Sequence, residues 1–244
     1  MEREVAVRKE KNMNLPSILE LLQSGVHFGH QKGRWHPKMK PNVFIERNGV
    51  HIIDLEKTLE SLKAAVDFVS QVAQTGGVVL FVGTKNQAQA IVKKYALFAG
   101  MPYIVEKWIG GMFTNFSNVS KLIKKYKTLK EERETGALAK YTKKEQVNFS
   151  KQIEKLEKLV GGLAELGRIP EAIFVVDAKR EKTAVAEARK RGVKIVGFCD
   201  TNINPEFLDY PIFANDDAVK SIEMITRIIA EAILEGKNRK TEQN

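Results

Sequence analysis

His27, His30 and His36, three of the chain's four histidines, fall within ten residues of one another. They sit in Val26-His27-Phe28-Gly29-His30-Gln31-Lys32-Gly33-Arg34-Trp35-His36-Pro37-Lys38-Met39-Lys40-Pro41, the densest mixture of imidazole, cation, aromatic and Pro/Gly in the sequence. Two chemistries use such residues. A zinc site needs ligands of fixed type and spacing, supported by a second layer of hydrogen bonds. An RNA surface needs cations for phosphate and flat groups for bases. His27-x-x-His30 with His36 is a weak metal pattern, because H-E-x-x-H is absent and no cysteine is close. A mixed N/O ion site arises if folding brings His27 or His30 beside Asp200, Asp216 and Asp217. Packing or hydrogen bonding is the commoner fate of such histidines. The polyanion reading has more behind it. Lys32, Arg34, Lys38, Lys40 and Arg47 face a single acid, Glu46, within this stretch. Pro37 and Pro41 disfavour helix at the residues before them, so an extended basic strand with an exposed Trp35 is expected.

A second group of polar residues lies at the ends of apolar runs: Gly83-Thr84-Lys85, Asp177-Ala178-Lys179-Arg180, Asp200-Thr201-Asn202 and Asn215-Asp216-Asp217. Ligands of doubly wound α/β folds bind there, so a small-molecule enzyme is the alternative to be weighed. The G-x-x-x-x-G-K-[ST] and G-x-G-x-x-G loops are both absent, and no Ser/His/Asp set is assignable by spacing. Asn215 reads as a helix N-cap with Asp216 and Asp217 complementing the dipole. Lys85 opposes the dipole of the helix it opens, which makes sense if an anion is near.

The elements that position these residues follow from periodicity. Val43–Arg47 and Val50–Ile53 flank Asn48-Gly49, a two-residue hairpin signal. A helix is expected from Leu55 to about Gln74, then a buried strand over Val78–Val82. Thr84-Lys85-Asn86-Gln87 reads as a capping box for a helix to about Phe98. Further strands are expected at Pro102–Val105, Ala172–Val176, Val193–Phe198 and Pro211–Phe213. Helices are expected at about Glu181–Arg191 and Asp216–Leu234. Apolar strands alternating with amphipathic helices give a mostly parallel sheet with helices on both faces.

The alternation breaks between Thr114 and Gly167. Val119, Leu122, Tyr126 and Leu129 form one heptad seam, and Phe149, Ile153, Leu156, Val160 and Leu163 a second. They predict an antiparallel coiled-coil hairpin inserted into the α/β domain, its arms packing mainly on each other and dispensable for the fold. The stretch from Val119 to Glu165 holds twelve Lys/Arg against seven Asp/Glu. A solvated charged face is the common explanation. A second basic region at Lys32–Arg47 weakens it. The expected division is a flexible extension (1–14), an α/β domain (15–116 and 166–235), the hairpin (117–165) and a disordered tail (236–244).

The net charge of +10 favours a negatively charged partner. The one cysteine, Cys199, excludes an intrachain disulfide and fits a reducing compartment. Met1–Asn14 lacks the apolar core of a signal peptide, and no apolar run would cross a bilayer, so a cytoplasmic protein without a membrane partner is expected.

Several motifs together resemble one family. They are Gly25-Val26-His27-Phe28-Gly29-His30-Gln31, Trp35-His36-Pro37-Lys38-Met39-Lys40-Pro41 and Arg47-Asn48-Gly49-Val50-His51-Ile52-Ile53-Asp54-Leu55. Phe81-Val82-Gly83-Thr84-Lys85, Trp108-Ile109-Gly110-Gly111-Met112-Phe113-Thr114-Asn115-Phe116, Leu156-Glu157-Lys158, Asp200-Thr201-Asn202 and Asn215-Asp216-Asp217-Ala218 continue the series. In unbroken order from about Leu15 to Leu234 they resemble the bacterial small-subunit ribosomal protein "S two" family. The resemblance implies a flavodoxin-like α/β domain with a protruding coiled coil and no catalysis. It implies a place between head and body of the small subunit, bound to ribosomal RNA. It also implies neighbouring small-subunit proteins as partners and a part in docking the large ribosomal protein "S one". On this reading the RNA contacts are Lys32, Arg34, Trp35, His36, Lys38, Lys40 and Arg47, then Lys85, Lys107, Trp108 and Asn115. Lys121, Lys124, Lys125, Lys143 and Lys144 on the hairpin complete them. Lys107 stands where the family often has Arg, Ala178 where it often has Pro, Ile203 near a common Cys, and His36 for a common Asn. The hairpin and the lack of a transit peptide favour the bacterial branch.

Overall fold

Consecutive buried residues, rather than alternating ones, build the centre of the molecule. In the computed structural model, which describes residues 15–241, strands β4 (Val79–Val82), β6 (Ala172–Val175) and β7 (Lys194–Phe198) are buried on both faces. With β5 (Tyr103–Ile104) and β8 (Tyr210–Ile212) they form a five-stranded parallel sheet in the order β5-β4-β6-β7-β8. Counted from β4, this is the flavodoxin-like order 2-1-3-4-5. The expected flavodoxin-like fold is the observed one.

Helices α2 (Leu55–Gln74), α3 (Asn86–Phe98) and α7 (Val219–Thr241) cover one face. The side chain of Asp54 caps α2 by accepting the Glu56 N–H at 2.9 Å. Leu62, Val66 and Val69 then line the helix side that meets Val79, Phe81 and Phe174 of the sheet. Helix α6 (Lys182–Arg191) and the 108–116 loop cover the other face, where Leu80, Val82, Ile173, Val175 and Ile195 point.

Ahead of the sheet lies a small antiparallel one, ordered β1 (Phe28–Gln31), β3 (Val50–Ile53), β2 (Val43–Arg47). Its β2–β3 turn is the expected one, with φ of 52° at Asn48 and 74° at Gly49. Strand β1 was not expected. The extended basic strand also needs correction: Lys32–Arg34 and Pro37–Asn42 are 3₁₀ turns. His36 does take the extended conformation that Pro37 imposes, at φ −106° and ψ 129°. Pro37 then supplies the φ that suits the first position of a turn, and Met39 drops into the core.

The last helix is longer than expected. It starts at Val219, not Asp216, and runs to Thr241 through the stretch expected to be a disordered tail. Gly236 is the reason it reads as a stop and is not one. A Cβ there would lie 2.2 Å from the Ser70 carbonyl oxygen, so α7 crosses α2 at a distance only glycine permits. The extension expected at 1–14 and the last three residues lie outside the described part.

The insertion is a helical pair, α4 (Phe116–Glu134) and α5 (Lys143–Val160), between β5 and β6. Thr142 and Glu145 form the expected capping box of α5. In α4 the buried stripe is Val119, Ile123, Tyr126 and Leu129, with Ile123 in place of Leu122. The expected self-contained seam is also corrected. Val119, Tyr126, Val160 and Leu163 belong to one buried cluster with Ile104, Trp108, Met112 and Phe113. Replacing residues 118–163 by a Gly/Ser linker is therefore expected to lower thermal stability measurably, because these core side chains become exposed. Calorimetry of the two chains checks this. An unchanged unfolding temperature would return the hairpin to a self-contained unit.

Candidate nucleic-acid interface

The carboxyl ends of the parallel strands hold a dense network of ionisable groups. Lys85, at the end of β4, is buried. Its Nζ donates to Asp216 Oδ1 at 2.9 Å and to the Asp216 carbonyl at 2.7 Å. It also lies 2.6 Å from Asp217 Oδ1 and 3.5 Å from Asp177 Oδ2. Burial works against its charge, but Asp216 and Asp217 outweigh it and raise the lysine pKa. Burial and the charges of Asp200 and Asp177 push the Asp216 carboxyl up, against the pull of Lys85. The anion that Lys85 required is thus the chain's own. Lys85 leaves the RNA surface.

Beside it, His30 of β1 places Nδ1 3.1 Å from Asp200 Oδ1 and Nε2 3.5 Å from Asp217 Oδ2. The hydrogen bond to Asp200 raises the pKa of His30, burial opposes this, and the charges of Asp200, Asp216 and Asp217 add to the rise. His30, Asp200 and Asp217 offer three ligand atoms within 4.8 Å of one another. His27 does not join them. Its ring lies on Phe28 at 4.0 Å, and burial lowers its pKa. Asp216 turns to Lys85 instead. Asn215 is not an N-cap in the strict sense, since the helix starts four residues later. Its Oδ1 accepts from the N–H groups of Asp217 and Ala218 at 2.7 and 3.2 Å, holding the turn that presents buried Asp216 and exposed Asp217 to Lys85.

Two further carboxylates close the strand ends. Glu181 is buried and accepts from both the N–H (3.0 Å) and the hydroxyl of Thr84. The expected capping box at Thr84 is therefore not formed. Glu187 of α6 accepts from Trp108 Nε1 at 3.2 Å, from Gly111 N at 2.8 Å, from Phe113 N at 3.0 Å and from Thr114 N at 3.3 Å. Burial pushes its pKa up. The N–H donors of Gly111, Phe113, Trp108 and Thr114 outweigh that and hold it below the usual value. Trp108 is in the core with its N–H engaged, so it too leaves the RNA surface. A crevice of about 580 Å³ remains between Thr84, Lys107, Trp108 and Arg180. Of its lining groups, the Thr84 N–H is held by Glu181 and the Trp108 indole N–H by Glu187.

The remaining candidates are at the surface. Arg34, Lys40, Arg47, Lys107, Asn115, Lys121, Lys124, Lys125, Lys143 and Lys144 are exposed. Lys32 and Lys38 are exposed too, but pair with Glu46 (3.0 Å) and Glu206. Trp35 is half-buried with its ring 4.9 Å from that of His51. The Nδ1 of His36 accepts from the Lys38 N–H at 3.3 Å. The structure thus splits the sixteen positions. Two sit inside the strand-end network, and the others spread over the 32–47 segment, the 107–115 loop and the hairpin.

The model of the family described as "Ribosomal protein S2" matches residues 21–236. The chain is 49% identical over 225 residues to "Small ribosomal subunit protein uS2" of Coprothermobacter proteolyticus, covering 92% of this chain and 84% of that one. The chain belongs to the ribosomal protein S2 family. It is accordingly a structural protein of the small ribosomal subunit.

Membership gives the motifs a physical meaning. In this S2 chain the Trp108–Phe116 motif is the loop that Glu187 holds by its N–H groups, and Asp200-Thr201-Asn202 is the anchor of β1. The Thr201 hydroxyl accepts from the His30 N–H at 2.8 Å, and the Thr201 carbonyl accepts from the His36 N–H at 2.7 Å. Sequence reasoning missed Glu181 and Glu187. The signal for Glu187 was its place on the apolar stripe of α6 beside Ala184 and Ala188. It also missed Phe44 and Ile45 on the edge strand β2, which are 74% and 53% exposed. Among the described residues no helix is long and apolar enough to cross a membrane.

Proposed function

We propose that this chain binds small-subunit ribosomal RNA between head and body of the subunit, through its 32–47 segment, 107–115 loop and hairpin, and helps dock the "S one" protein. The carrying observation is how charge is divided. Acids that could serve a small ligand are bonded to the chain's own lysine, histidine and amides, whereas the surplus cations stand exposed along the surface. That division suits a long polyanion and leaves the enzyme reading without free groups. Phe44 and Ile45 on an uncovered strand edge suit contact with a protein rather than with phosphate.

Affinity for a small-subunit RNA fragment is expected to fall steeply with salt. Each phosphate contact contributes about 0.7 to 0.9 to the logarithmic slope. Replacing Arg34, Lys40 and Arg47 together by Ala is expected to lower that slope by about two units. An unchanged slope would take the segment out of the interface.

The strand-end cluster is also the proposed place for a structural cation. A divalent ion between the three side chains would be held by one His30 nitrogen and by carboxylate oxygens of Asp200 and Asp217. Elemental analysis of the purified chain and of its Asp217→Asn variant tests this. Stoichiometric metal in the variant, or none in the parent, would count against the site.

A further inference from the structure

The sides of α4 and α5 that face away from each other are both basic. Val119, Ile123 and Tyr126 mark the buried stripe of α4, and Ile153, Leu156 and Val160 that of α5. By the 3.6-residue period, Lys121, Lys124 and Lys125 project from the opposite side of α4. Lys151, Lys155 and Lys158 project likewise from α5. All six are exposed, and none makes an ion pair among the described residues; the lysine of α4 that does is Lys127, with Glu165 at 3.1 Å. The acids Glu154 and Glu157 border the cleft between hairpin and body beside Tyr126 and Lys130, as Lys158 also does, and neither acid pairs with an outward lysine among the described residues. From Phe116 to Lys130 there are five lysines and no acid.

A merely solvated helix face looks different in this molecule. On α7, Arg227 pairs with Glu231 and Glu235 with Arg239, each four residues apart. On the hairpin the outward lysines are left unpaired instead, on α5 even with Glu154 within a turn of Lys151 and Lys158. The two sides are also too far apart to serve one backbone. Helices of about 10–12 Å diameter with axes about 8–10 Å apart put the outer surfaces roughly 20 Å from one another. That is about two and a half times the screening length of roughly 8 Å at physiological salt.

We infer that the hairpin is a two-sided bracket for RNA: the outward lysines of α4 hold one phosphate backbone and those of α5 hold a second. This rests on the RNA-binding reading and adds to it that one hairpin joins two RNA elements. Each side supplies three phosphate contacts, and neither substitutes for the other.

The test uses the full chain and two populations of one short RNA duplex, carrying a fluorescence donor or an acceptor. Energy transfer between them is expected when duplex exceeds protein, and to fade when protein is in excess, as bridging requires. Lys121, Lys124 and Lys125 changed together to Gln should abolish transfer while a single duplex still binds, more weakly, through the other side. Lys151, Lys155 and Lys158 changed to Gln should do the same. Each triple change should lower the salt slope by about two units. Binding without transfer by the unmodified chain overturns the bracket and leaves the RNA reading standing. Transfer that survives either triple change puts the second duplex elsewhere and overturns it as well. Failure of the unmodified chain to bind RNA at all sinks both.

Discussion

Replacing Lys85 by Met is expected to destabilise the fold by about 3–5 kcal/mol and to leave the salt dependence of RNA binding unchanged. The ammonium is buried and faces Asp177, Asp216 and Asp217. Removing one partner of a buried ion pair costs this much because the other charge stays behind, desolvated and unpaired. Here the effect is compounded, since Asp200 also lies near Asp216 and raises its pKa. A double change, Lys85→Met with Asp216→Asn, should recover a good part of the loss, because it removes the stranded carboxylate along with its partner. Urea unfolding of the three chains measures this. A loss under about 1 kcal/mol, together with a salt slope reduced by about 0.7 to 0.9, would return Lys85 to the RNA surface.

What could be read from the sequence was whatever depends on neighbours along the chain. Helix α2 begins at Leu55 and ends at Gln74 as its periodicity indicates, and the parallel strands fall within about a residue of their apolar runs. The Asn48-Gly49 turn declares itself by the positive φ it needs. Hidden features depend on partners far along the chain. Strand β1, Phe28-Gly29-His30-Gln31, has no β-branched residue, and it is a strand because it pairs with β3 and hangs on Thr201. Lys85 finds Asp216 across 131 residues, and Trp108 finds Glu187 across 79. Both belong to family motifs, and a motif does not say whether a cation or an indole points out or in. Gly236 reads as a helix stop, yet it is where two helices touch.

Glu187 gives the second large effect. Its carboxylate satisfies the indole N–H of Trp108 and the backbone N–H groups of Gly111, Phe113 and Thr114, so one side chain of α6 fixes the loop that covers the sheet. Glu187→Ala leaves the donors of Trp108 and Phe113 buried without an acceptor, while those of Gly111 and Thr114 are nearer water. At about 1–3 kcal/mol for each buried unsatisfied group, a net loss of about 3 kcal/mol at neutral pH is expected. The pH dependence follows from the direction of the shift. The folded-state pKa lies below the ordinary 4.5, so the carboxylate's stabilisation is complete above that value and fades as pH falls through the lowered one. The stability gap between the parent and Glu187→Ala should therefore be constant near neutrality and shrink on the acid side. Fluorescence supplies an independent readout. The chain has two tryptophans, and Trp35 is already half-exposed. A red shift in the folded variant would therefore report the loosening of Trp108. A gap that stays constant through acid pH, with unshifted emission, would show that the loop is held by packing and not by the carboxylate.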